Sequence, residues 1–192
     1  MDIQIAEYGT LSESMTPVAT PKRPLWRRAW FLTGMAVVVV ALSLIIRFGI
    51  IVFIAQPVKF QGTSMEPNLR DGDRLMLNKM VGELARGDIV AFRYPQDTTK
   101  SFIKRIIALP GETISIDPSG VVAINDGELA EPYVNPEWDR SPRRVAKTTL
   151  AAGQYFVMGD ARDVSNDSRS FGPVERKLIY GKVMWRYWPV RR

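Results

Sequence analysis

Two residues have the types and settings that hydrolytic chemistry uses. Ser64 stands at the centre of Phe60 to Leu69, a stretch that leaves an apolar run and ends at the turn Arg70-Asp71-Gly72-Asp73. Gly62 permits a close approach or a positive φ and Pro67 fixes the local turn, so Ser64 belongs on a constrained loop, where a nucleophile is usually presented. A plain turn serine fits the same pattern. Lys104 lies in the strand-like stretch Ser101 to Ala108. A period of two places Phe102, Lys104, Ile106 and Ala108 on one face, so the amine shares its side with three apolar residues. Burial there would bring a lysine from about 10.4 toward the 7 to 8 that a general base needs. A strand lysine that extends its head to water is the alternative.

The chain has 192 residues, no histidine and no cysteine. Those absences exclude a Ser-His-Asp triad, a cysteine nucleophile, and a zinc site with His or Cys ligands. A hydrolase built from this alphabet needs another base. The fold cannot depend on disulfides, which suits either side of a membrane. The formal charge of +6 is spread along the chain without a nucleic-acid recognition signature, so no nucleic-acid partner is expected.

Residues 1–28 are expected to form a flexible cytoplasmic tail, rich in Ser, Thr and Pro. A transmembrane helix is expected over 29–47. The run Ala29 to Ile46 holds 18 residues without charge, about 27 Å as a helix, which nearly matches the hydrocarbon thickness. Lys22, Arg23, Arg27 and Arg28 precede it, with Trp26 and Trp30 at the boundary. The positive-inside rule therefore puts the N-terminus in the cytoplasm and every residue after Arg47 outside. A cleaved signal peptide fits less well, because the run is long and Arg47 leads into further apolar residues without a small-x-small site. Phe48 to Ala55 is too short to cross again and is expected at the outer membrane surface or within the domain, keeping Ser64 close to the bilayer.

Residues 48–192 should form the extracytoplasmic domain. Short β-rich runs come after Pro67: Arg74 to Met80, Asp88 to Tyr94, Ser101 to Ala108, Glu112 to Ile116, Val121 to Asn125, Tyr155 to Met158 and Gly181 to Trp188. Turns such as Pro110-Gly111-Glu112 and Asn125-Asp126-Gly127 separate them, which predicts a mainly β domain of antiparallel sheet or partly closed barrel. Pro132 to Thr149, polar and basic through Arg140, Arg143, Arg144 and Lys147, is expected to be a solvated loop.

Three blocks in order carry a family resemblance: Gly62-x-Ser64-Met65-x-Pro67, Lys104-Arg105 through Glu112, and Gly159-Asp160-Ala161-Arg162-Asp163-Val164-Ser165-Asn166-Asp167-Ser168-Arg169. They resemble type I signal peptidase of the bacterial kind, a resemblance that extends to Asp71-Gly72-Asp73, Arg86 to Val90 and the single anchor. It implies that Ser64 attacks the scissile carbonyl, that neutral Lys104 accepts its proton and later activates the deacylating water, and that Ser165 hydrogen-bonds and orients the amine. Asp160, Asp167 and Arg169 would be structural ion-pair partners. The oxyanion hole would use the Ser64 N–H. Some members add a serine hydroxyl two positions earlier, where this chain has Gly62, so the second donor is open. Asn68 stands where threonine is frequent and Ala161 where asparagine is frequent, which should alter loop hydrogen bonds. Lys104 in place of histidine places the chain in the bacterial or organellar branch.

The resemblance implies a single-pass cell-membrane endopeptidase that removes signal peptides from exported preproteins after small residues, with signal peptides and membrane lipid as partners and no cofactor. Two other readings fit less of the sequence. One is a Ser-Lys peptidase of the same fold devoted to one partner or to self-cleavage. The other is a non-enzymatic membrane-tethered β-module, which would not need Ser64, Lys104 and Ser165 together.

Overall fold

The computed structural model describes residues 25–139 and 143–189, so the expectations for the 1–24 tail and for Arg140 lie outside the described residues. Helix α1 runs over Leu25–Ile54. It exceeds the expected 29–47 because one charge, Arg47, does not stop a helix, and Phe48 to Ile54 contains no proline. Pro57 then forces the preceding residue toward extended geometry, and strand β1 (Ala55–Lys59) begins directly. Trp30–Gly49, 20 residues of mean hydropathy 2.3, is long and apolar enough to cross a membrane by length and composition, and its described side chains are exposed. The chain divides into two compact units within this helix, between Ile45 and Ile46.

The remaining strands are β2 (Arg74–Asn78), β3 (Ile89–Tyr94), β4 (Asp97–Ala108), β5 (Thr113–Ile116), β6 (Val122–Ile124), β7 (Gly127–Glu128), β8 (Val145–Thr149), β9 (Gln154–Met158), β10 (Val174–Glu175) and β11 (Ile179–Trp188). They form a seven-stranded sheet in the order β1-β2-β11-β3-β4-β9-β10 and a four-stranded sheet in the order β7-β6-β5-β8. Every pairing is antiparallel, as the sequence patterning predicts, and the larger sheet ends at β1 and β10 without closing. The Asn125-Asp126 turn between β6 and β7 has φ of 51° and 69°, the pair of positive values that a tight hairpin turn needs. Within the expected solvated loop, Val145–Thr149 instead pairs with β5. Its exposed Ala146, Lys147, Thr148 and Thr149 make it read as loop, while β-branched Val145, Thr148 and Thr149 suit an edge strand.

Strand β4 touches all three apolar clusters. Ile103 packs against Phe60, Met65, Leu69 and Leu75, beneath the Ser64 loop. Phe102 and Ile106 join Val90, Phe92 and Val157. Ile107 and Ala108 together enter the third cluster with Ile114, Phe156 and Met158. The simple alternation expected through Ala108 thus ends at Ile106, where the β4–β9 register shifts and the strand becomes buried on both sides. Lys104 is opposite Val90 and Phe102 opposite Phe92, so the amine does start from an apolar row.

Phe92 is fully buried and meets the Phe102 ring edge-on at 6.2 Å. Phe92→Ala should destabilise the domain by about 3–5 kcal/mol. Denaturant unfolding of the detergent-solubilised chain checks this; a loss below about 1 kcal/mol would mean that the row behind Lys104 is not tightly packed.

Candidate active site

The Ser64 loop is closed at its base by hydrogen bonds from Phe60 N–H to Asp73 O (2.8 Å) and from Gly72 N–H to Phe60 O (3.0 Å). Met65 and Leu69, one helical turn apart, carry the loop's apolar side chains into the cluster below. Arg186 of β11 donates to the Asn68 carbonyl and to the Asp73 carboxylate, both at 3.1 Å. Gly62 has φ of 102°, a conformation that a side chain would strain. Its N–H donates to Asp71 Oδ1 at 2.8 Å and is therefore committed to the loop. The Ser64 N–H makes no hydrogen bond among the described residues.

Lys104 Nζ lies 2.5 Å from Ser64 Oγ. The lysine is only 4 % exposed, with the Phe102 ring centroid 5.7 Å from Nζ. Burial lowers the amine from 10.5 to about 8, against the opposing pull of the Asp167 and Asp160 carboxylates and with help from Arg169. At pH 7 about one molecule in ten then holds a neutral amine, against fewer than one in a thousand for an unperturbed lysine. A neutral amine at this distance can accept the Ser64 proton.

The third block pins the pair in place. Ala161 N–H donates to the Ser64 carbonyl at 3.1 Å. A Cβ on Gly159 would lie 2.3 Å from Ser165 Oγ and 2.4 Å from Ser64 O, so only glycine allows this approach. The Asp160 carboxylate receives Arg105 Nε (2.9 Å) and Nη2 (2.7 Å), which fixes the residue next to Lys104. Asn68 Nδ2 bridges the Ser64 loop to Asp160 Oδ2 (2.9 Å) and to Tyr133 O (2.8 Å). Asp167 accepts from Gly159 N–H and, twice, from Arg169, and its side chain caps helix α2 (Ser168–Phe171). Burial opposes its charge, but Arg169 holds the carboxyl below the usual range.

Ser165 is brought into the cluster, 1 % exposed. Its hydroxyl makes no hydrogen bond of normal geometry among the described residues, although it faces the Asp167 carboxylate closely enough to help keep it ionised. The hydrogen bond to Lys104 that the resemblance implied is not formed, and the amine bonds to Ser64 instead. Sequence reasoning missed Arg105 as the partner of Asp160, the clearance at Gly159, and the bidentate pairing of Arg162 with Glu131. Arg105 was legible only as the neighbour of Lys104. The Glu131 pairing carried no signal at all.

A cavity of about 300 Å³ opens at the pair, with Val58, Phe60, Phe102, Ile103 and Tyr180 among its walls. A loop serine against a desolvated amine, on an antiparallel β scaffold, has the form of a serine hydrolase site that works without histidine. Over residues 28–188 the chain matches the family described as signal peptidase, peptidase S26, and it belongs to that family. It is 30% identical to signal peptidase IB of Staphylococcus aureus over 171 residues, covering 80% of this chain and 88% of that protein. It is 33% identical to signal peptidase I of Leptolyngbya laminosa over 196 residues, 94% and 93% of the two chains. A solved signal peptidase I from Enterococcus faecalis aligns with 55% of this chain and 99% of that one, at 30% identity and a TM-score of 0.46.

The lowered amine carries a stability consequence. Its folded value, about 8, is below the unfolded 10.5, so the desolvation cost is fully present below pH 8 and is relieved as pH rises through 8 to 10.5. Lys104→Met should therefore raise the melting temperature at pH 7, by the equivalent of up to about 3 kcal/mol, and by less at pH 10. A lower melting temperature for Lys104→Met at both pH values would contradict a buried, destabilised amine.

Proposed function

We propose that this chain is a membrane-anchored serine endopeptidase that cleaves signal peptides from exported preproteins through an acyl-enzyme. The 2.5 Å approach of Lys104 Nζ to Ser64 Oγ carries the reading. Neutral Lys104 takes the Ser64 proton as Oγ attacks the scissile carbonyl, and the resulting ammonium returns a proton to the leaving amine. The amine, neutral again, draws a proton from water, whose oxygen attacks the acyl ester, and the ammonium returns that proton to Ser64 Oγ as the ester bond breaks and the signal-peptide carboxylate leaves. The Ser64 N–H, which makes no hydrogen bond among the described residues, would stabilise the oxyanion. The Gly62 N–H is not free to be the second donor, since it serves Asp71. Ser165, buried beside Gly159 and facing Asp167, belongs with Asp160, Asp167 and Arg169 to the frame that holds the Ser64 loop against Lys104.

The apolar helix supports the anchor, and the basic residues before it support an N-terminus in the cytoplasm with the catalytic domain on the other face of the cell membrane. Lipid around the helix would hold the apolar core of a signal peptide near the domain. The test uses purified chain and a preprotein with an Ala-x-Ala site. Wild type should cleave with an acid limb rising toward pH 8. Ser64→Ala and Lys104→Arg should lose at least about a thousandfold in kcat while the fold survives, because arginine cannot deprotonate in a protein. Substantial activity in Lys104→Arg would refute the assignment of the base. Cleavage of the chain itself but of no added preprotein would favour the self-processing reading.

A further inference from the structure

The cavity beside Ser64 is walled by a second amine that the proposed chemistry does not use. Lys59, the last residue of β1, lines the same cavity as Ser64 and Lys104, whose other walls are apolar or uncharged: Val58, Phe60, Gln61, Ser101, Phe102, Ile103 and Tyr180. Among the described residues that line this space there is no carboxylate. Lys59 is exposed, and directly opposite it in the β1–β2 ladder is Arg74, also exposed. Like charges in that relation repel, and neither residue forms an ion pair among the described residues. The nearby acids of the loop are already engaged, Asp71 with the Gly62 N–H and Asp73 with Arg70 N–H and Arg186. Lys104 is buried and bonded to Ser64, so Lys59 is the exposed cation among the residues that line the cavity.

We infer that Lys59 is a specificity-determining residue, whose ammonium selects acidic over basic side chains in the polypeptide segment lying across the cavity next to the scissile bond. This rests on the peptidase reading above. An uncompensated cation at the cavity wall is satisfied by a substrate carboxylate and repels a substrate lysine or arginine. Because the pair forms at a wet surface, the effect is modest and screened by salt. The position of Lys59 on the wall shared with Ser64 favours a peptide carboxylate over a lipid phosphate as the occupant.

The experiment compares matched peptide substrates with an Ala-x-Ala site that carry Asp, Asn or Lys at each position flanking the scissile bond in turn. They are cleaved by the full-length protein in neutral detergent micelles. At one or more positions wild type should prefer Asp over Lys in kcat/KM by about three- to tenfold, falling toward one as salt rises to 1 M. Lys59→Gln should bring that ratio near one, and Lys59→Glu should invert it. A ratio unchanged in both variants, with the Asn peptide still cleaved, would overturn the inference while leaving the peptidase reading intact. Failure of wild type to cleave even the Asn peptide would overturn the peptidase reading, and the inference with it. The same assays in vesicles with and without phosphatidylglycerol separate the lipid alternative. If Lys59→Gln changes only the dependence on anionic lipid, equally for all peptides, Lys59 reads the membrane and not the substrate.

Discussion

A single desolvated amine is the constraint around which this domain is built. Burying a lysine is unfavourable unless its charge is given up, and here the gain is a base strong enough to act and neutral often enough to do so. The apolar row of β4 and its neighbours on β3 supply the desolvation. The balance is fine, because Asp160 and Asp167, both close enough to pull the amine back toward its charged form, are needed to hold the loops in place. Their bidentate pairing with Arg105 and Arg169 limits that pull by answering each carboxylate with a cation.

Positioning depends on the same small set of parts. Ser64 comes from a loop on one side of the larger sheet and Lys104 from a central strand, and the third block joins them through backbone contacts. The Ala161 N–H holds the Ser64 carbonyl, and Gly159 lets the two segments approach to a distance that no side chain would allow. Asn68 adds a side-chain tie from the nucleophile loop to Asp160, so the residue beside Lys104 and the residue four places after Ser64 share one carboxylate. A shift in any one of these contacts moves Oγ relative to Nζ, and proton transfer depends steeply on that geometry.

Much of this was legible in the order of residues alone. Alternating runs marked the long strands, and the missing histidine turned attention to Lys104, whose strand neighbours Phe102 and Ile106 do share one cluster. Features of tertiary contact stayed hidden. Val145–Thr149 is a strand because β5 has an open edge, which its polar residues do not announce. The helix outlasts its uncharged run because only Pro57 ends it. Ser165 was recognisable as a member of the block, but the orientation of its hydroxyl depends on Gly159, Ser64 and Asp167 together and has no signature in sequence. Charge at the cavity mouth was equally silent, since Lys59 becomes a neighbour of Ser64 only once β1 is paired with β2.

The central claim is that burial brings the Lys104 amine into the range of a working base, and the amine can be titrated directly. Carbon-13 NMR of lysine-labelled full-length protein in micelles, with the Lys104 Cε signal assigned by its loss in Lys104→Arg, tracks ionisation without relying on turnover. A midpoint near 8 is expected. A midpoint near the ordinary value of about 10.4 would contradict the claim, because fewer than about one molecule in a thousand would then hold a neutral amine at pH 7 to take the Ser64 proton.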